Sequence, residues 1–160
     1  MKLKHVASIL FIISLFSCDI IGPPTVPQPD IDAYRKCAYC GMDRKAHGYS
    51  RMLILYEDGT GAGVCSLYCA LIEIDAHQGR KVKALLVADR YTRILVEAEK
   101  ATWVLGGRKS GVMSKRAKWA FQSNESAERF VATYGGKIVS WGEALAAARE
   151  DLAKDTTKRR

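Results

Sequence analysis

The 160-residue chain carries 25 Lys and Arg against 17 Asp and Glu, a net charge of +8, with 48% hydrophobic residues and five cysteines. That hydrophobic content excludes global disorder, and the length allows one ordinary domain or two small ones. The basic excess does not indicate nucleic acid: its small groups (Arg35-Lys36, Arg44-Lys45, Arg108-Lys109, Lys115-Arg116, Lys158-Arg159-Arg160) lack the interleaved aromatics of a stacking platform.

The N-terminus reads as an export signal. Lys2 and Lys4 precede an apolar run from Val6 to Phe16, which is shorter than the about 20 residues of a membrane span. Removing residues 1–17 leaves 23 basic against 17 acidic residues, a net charge of +6. Leu15-Phe16-Ser17-Cys18 resembles a bacterial lipobox, in which Cys18 is the lipidated mature N-terminus. A plain secretory signal with an incidental cysteine is the alternative. Residues 18–33 then read as a tether stiffened by Pro23, Pro24, Pro27 and Pro29. Asp19 resembles the signal that retains lipoproteins in the inner membrane of some Gram-negative bacteria. The expected location is therefore the periplasmic face of a bacterial membrane, the inner one favoured.

A folded region is expected over 34–153, followed by a basic tail over 154–160. Arg51 to Glu57 is an apolar run of strand length stopped by Asp58-Gly59-Thr60-Gly61, so a hairpin returning through Val64 follows. Ser66 is placed to cap a helix over about Leu67 to His77, with Gly79 just past its end. Val82 to Ala88 and Ala101 to Leu105 read as strands separated by a polar segment. Lys118 to Phe121 is a further strand. Ser123 caps a helix whose stripe is Ala127, Phe130, Val131 and Tyr134, ended by Gly135-Gly136. After a strand at Lys137 to Val139, Ser140 to Glu143 is a capping box opening the last helix. The fold expected is α+β, built from two small related ββαβ-like units over about 34–105 and 106–153.

Four cysteines follow Cys18: Cys37 and Cys40 with knuckle spacing before Gly41, and Cys65 and Cys69 across the start of the first helix. Two disulfides, a four-cysteine zinc site and a copper(I) site all remain open. Met42 tilts the balance to copper(I), since thiolate and thioether are soft donors. Cys40 and Met42, with Met113 as a third donor, would hold the ion and leave one side open. Cys37 is a spare donor, a disulfide partner or a ligand; His47 is an extra ligand or a surface histidine. Cys65 and Cys69 read as a structural pair or a second metal site. Arg44, Lys45, Lys115 and Arg116 would favour thiolates if near them in space; solvated loop charges are the plainer reading. His77 and Met52 read as structural, and Trp103, Trp119 and Trp141 as core aromatics.

The run Cys37 to Met42, then Asp58-Gly59, Cys65-Ser66, Asp89-Arg90-Tyr91-Thr92, Gly111-Val112-Met113, Ala120-Phe121 and Gly135-Gly136-Lys137 together resemble the NosL family over roughly residues 34 to 146. The resemblance implies a periplasmic copper(I)-binding lipoprotein that accompanies assembly of the copper centres of nitrous oxide reductase. It implies delivery to a copper acceptor, either that reductase or its maturation transporter. By the same resemblance Cys40 and Met42 match the family's core metal motif and Met113 a methionine of its later loop. The second loop here departs from the family's Pro-Met-Gly wording, and Cys65 with Cys69 adds sulfur.

An accessory protein and not an enzyme is expected, since no nucleophile elbow, phosphate loop or paired-carboxylate motif occurs. Two rivals stand beside it. One is a structural zinc protein using Cys37, Cys40, Cys65 and Cys69. The other is a thiol-disulfide oxidoreductase, disfavoured because the Cys37 pair does not open a helix.

Overall fold

The structure, a computed structural model, describes residues 28–158. The expected signal, Cys18 and the tether as far as residue 27 lie outside the described residues. Within them the order is α1 (Pro29–Ala33), β1 (Met52–Tyr56), β2 (Gly61–Val64), α2 (Leu67–Ala76), β3 (Val82–Ala88), β4 (Leu95–Glu97), β5 (Thr102–Leu105), β6 (Lys118–Phe121), α3 (Asn124–Tyr134), β7 (Lys137–Val139) and α4 (Trp141–Lys158). Two antiparallel sheets result, one ordered β2-β1-β3-β4 and the other β6-β5-β7. The class is α+β, and strand-strand-helix-strand recurs in both halves. None of the described helices is long and apolar enough to cross a membrane.

Local chemistry sets the elements. Asp58 accepts from the backbone N–H of Thr60 at 2.9 Å and Gly59 takes φ 83°, which closes the β1–β2 turn. Ser66 caps α2 by accepting from Cys69 N–H, and Ser123 caps α3 by accepting from Ser126 N–H. Ser140 and Glu143 make the reciprocal capping box at α4: Glu143 N–H donates to Ser140 Oγ, and Ser140 N–H donates to the Glu143 carboxylate.

Alternation along the strands of the second sheet divides the core. Trp103, Ala120 and Val139 face a core shared with Met52, Ile54, Tyr56, Val64, Val87 and the buried side of α2 and α4. Their neighbours Val104, Trp119 and Phe121 face the opposite way, onto Ala127 and Phe130 of α3. Trp103 and Trp119 are buried, and Trp141 lies 5.4 Å from Trp103 centroid to centroid, so all three serve as core aromatics. The buried Asp89 joins the sheets: it accepts from Tyr91 and Thr92 N–H at the end of β3 and from Gln122 N–H just after β6.

Four expectations are corrected. Packing begins inside the expected tether: Pro29 opens a short helix whose Asp30 and Ile31 are buried, because two arginines inside the fold require a carboxylate partner. The segment between β3 and β5, read as polar linker, contributes the edge strand β4. The division between units falls before β5 and not after residue 105, since β5 pairs with β6 and β7. The basic tail is helical as far as Lys158, held in part by Tyr68, whose hydroxyl donates to Asp155 at 2.9 Å.

Candidate metal centre

Residues 35–44 form a narrow knuckle. Cys37 N–H donates to Met42 C=O at 2.8 Å, Gly41 N–H donates to Cys37 C=O at 3.0 Å, and Lys36 bridges to Asp43. Gly41 takes φ 72°, the left-handed value that the turn back toward Met42 demands. Ala38 N–H donates to Gly63 C=O, so the knuckle lies along the outer side of β2. That placement carries the sulfurs of Cys37 and Cys40 to the end of β2, where Cys65 and the first turn of α2 begin.

There the four thiols meet. The sulfurs of Cys37, Cys40, Cys65 and Cys69 all lie within 4.8 Å of one another. Cys65 Sγ is 3.6 Å from both Cys40 Sγ and Cys69 Sγ, and Cys69 Sγ is 3.9 Å from Cys40 Sγ. Met42 Sδ joins at 3.9 Å from Cys65 Sγ. Cys37, Cys65 and Cys69 are buried, whereas Cys40 and Met42 are half-buried, so the cluster opens on one side only. All four cysteines are free thiols.

The reading of Cys65 and Cys69 as a separate pair or a second site is therefore corrected: they complete the same cluster as Cys37 and Cys40, the grouping of the four-cysteine alternative. The register of β1 against β2, which sets Met52 opposite Val64, delivers Cys65 there, a non-local fact that spacing cannot express. Met113, on the β5–β6 loop with φ 62°, packs half-buried against the shared core, while the thioether that touches a cysteine belongs to Met42. His47 lies outside the donor group and sits edge-on to Tyr49, its Nδ1 3.5 Å from the Tyr49 hydroxyl. His77 ends α2, with its ring against Glu73.

Proton sharing unites the thiols. Hydrogen bonds from Cys65 and Cys69, helped by the backbone N–H groups of Cys40 and Cys65, hold the Cys37 thiol far below its ordinary range. Donation to Cys37 pushes Cys65 and Cys69 up correspondingly, and burial adds to both shifts. Cys37 therefore gives up its proton more readily than Cys65 and Cys69, which hold theirs. A soft cation that takes these sulfurs as thiolates displaces the protons of Cys65 and Cys69.

The flanking charges divide. Lys45 and Lys115 are exposed, as loop charges would be. Arg116 pairs with Glu150 and Asp151 on α4. Arg44 is fully buried, which corrects the reading of it as a solvated loop charge. Its guanidinium donates to the Asp30 carboxylate and to the carbonyls of Asp30, Tyr34, Met52 and Val64. Helix α2 opens beside Cys65 and Cys69, not at the Cys37 pair, so the arrangement expected of a helix-opening redox pair is missing from Cys37 and Cys40.

A family model described as NosL matches residues 27–148. Among solved structures, the copper chaperone NosL from Shewanella denitrificans is similar, with a TM-score of 0.56 and 25% identity over 76% of this chain and 96% of that one. No curated protein matches. With the matched span covering most of the fold and the whole of the cysteine cluster, the chain belongs to the NosL family.

Proposed function

We propose that this protein is a copper(I)-binding accessory protein, a metallochaperone and not an enzyme, which holds the ion in the sulfur cluster and passes it to an acceptor. One observation carries the reading: four thiols and a thioether converge on one point, with the Cys40–Met42 side open, in a chain of a family that includes a copper chaperone. Copper(I) accepts two or three soft donors in open geometry, so five sulfurs offer it several equivalent arrangements. Interchange among them lets an incoming donor displace one ligand without emptying the site. The acceptor proposed is nitrous oxide reductase or the transporter that matures it. The working location is the periplasmic face of a bacterial membrane, reached through lipid on Cys18.

Copper(I) titration against a competing chelator, on protein purified under reducing and anaerobic conditions, tests the site. Near-stoichiometric binding that weakens sharply in Cys40→Ser and Met42→Leu is expected; unchanged affinity in both would reject it. Incorporation of labelled palmitate that is lost in Cys18→Ala tests the anchor separately.

A second reading has its own support. The three separations among the sulfurs of Cys40, Cys65 and Cys69, 3.6, 3.6 and 3.9 Å, bracket the edge, about 3.8 Å, of a tetrahedron with metal–sulfur bonds of about 2.3 Å. Such a cage suits zinc as a structural ion. Zinc that copurifies at one equivalent and whose removal unfolds the chain would favour that reading over cargo copper.

A further inference from the structure

We infer that Asp30, Arg44 and Arg51 form a positioning device for the sulfur cluster, and that the last residues of the expected tether are thereby a working part of the site. The inference rests on the reading of the cluster as a metal site.

All three side chains are buried. Asp30 Oδ2 accepts from Arg44 Nη2 and from Arg51 Nε, both at 2.8 Å, and Asp30 Oδ1 accepts from Arg51 Nη2 at 2.8 Å. One carboxylate thus fixes two guanidinium planes. Each plane then holds backbone from separate parts of the chain. Arg51 Nη1 donates to the carbonyls of Gly48 and Arg93. Arg44 donates to Met52 C=O at 2.9 Å and to Val64 C=O at 3.2 Å, and its Nη1 closes the end of α1 at Asp30 and Tyr34.

The position of Arg44 gives these bonds their consequence. It follows Met42 by two residues, and its own N–H donates to Arg35 C=O at 2.9 Å, so its backbone belongs to the knuckle that bears Cys37 and Cys40. Its Nε holds the carbonyl immediately before Cys65. Ser50, beside Arg51, donates its hydroxyl to Cys65 C=O at 2.9 Å. The knuckle sulfurs and the sulfur at the start of α2 are therefore braced to each other through one guanidinium whose orientation Asp30 sets. No covalent bond links the knuckle to Cys65, so contacts of this kind hold the two pieces that bring the four thiols within 4.8 Å of one another.

The fork of arginine, more than its charge, does the bracing. This separates positioning from electrostatics in one experiment on the full chain. Arg44→Lys keeps the positive charge and loses the planar set of donors. Dissociation of copper(I) into excess chelator, and the thiolate charge-transfer spectrum of cobalt(II) as a second probe, are followed well below the unfolding temperature. A tenfold or greater rise in the copper(I) release rate is expected, with a changed cobalt spectrum. Phe130→Leu, in the other core, is the control for stability alone and should leave both readouts unchanged. Wild-type release and spectrum in Arg44→Lys would overturn the inference, as would an equal change in Phe130→Leu. Should Arg44→Lys not fold, Asp30→Glu carries the same test, since it keeps the carboxylate but displaces both guanidinium groups; wild-type behaviour there overturns the inference too. Failure of the wild-type chain to bind copper(I), with an intact cobalt response, would instead count against the copper reading alone.

Discussion

Cys40 Sγ and Cys65 Sγ stand 3.6 Å apart although 25 residues separate them in the chain. The knuckle and the β2–α2 junction are independent pieces of backbone, and this contact is where they become one site.

Cys65 and Cys69 are accordingly expected to matter as much as the knuckle cysteines. Cys65→Ser and Cys69→Ser should each weaken copper(I) binding by more than about tenfold, since loss of a ligand exceeds the cost of losing an outer-shell partner. Competition titration of the two variants checks this. Wild-type affinity in both would return the site to Cys37, Cys40 and Met42 alone.

Metal binding should release protons. Cys65 and Cys69 hold theirs above the ordinary thiol value by donating to Cys37, so a metal that takes all three sulfurs must expel both. Affinity therefore falls as pH falls, and a weakly buffered titration with an indicator dye measures the release. The metal-free protein has the complementary dependence. The depressed Cys37 contributes stability that is present above its ordinary value of 9.0 and lost as pH falls. The raised Cys65 and Cys69 contribute stability present below 9.0 and lost as pH rises, when the unfolded thiols ionise and the folded ones do not. Urea midpoints of reduced, metal-free protein should decline above about pH 9.

Gly63 admits no side chain. A Cβ there would lie 2.4 Å from Tyr34 Cβ and 2.6 Å from Arg44 Nη1. Gly63→Ala should cost about 1–3 kcal/mol of stability by overpacking, and it should also displace Arg44 from Val64 C=O. Denaturant unfolding gives the first effect and metal release the second.

Phe130 packs in the second core, its ring 5.2 Å from Phe121 and 4.9 Å from Tyr134 between centroids. Phe130→Ala should destabilise by about 3–5 kcal/mol while leaving metal affinity unchanged in the protein that remains folded. Calorimetry beside a copper(I) titration would show both.

What the sequence reveals of this molecule is what local chemistry governs. Ser66, Ser123 and the Ser140–Glu143 box announce their helices because a cap needs only three or four consecutive residues. The knuckle is legible from Cys37, Cys40 and Gly41 for the same reason. The union of Cys65 and Cys69 with it stands in the sequence only as the four-cysteine alternative, because choosing it depends on Ala38 pairing with Gly63, a contact between segments with no shared periodicity. Arg44 is hidden for a different reason. Set between Asp43 and Lys45 it has the look of a surface charge, and only Asp30, in a proline-rich stretch, explains its burial. The edge strand β4 is short, and its Glu97 and nearby Lys100 form an exposed pair, so the polar pattern masks it.

All four thiols come from residues 37–69, ahead of every strand of the second sheet. The knuckle, the first hairpin and the first turn of α2 supply them all, and β5, β6 and β7 follow later in the chain. The sulfur cluster therefore takes every one of its thiols from one contiguous stretch of chain, and no residue of the second sheet supplies a thiol.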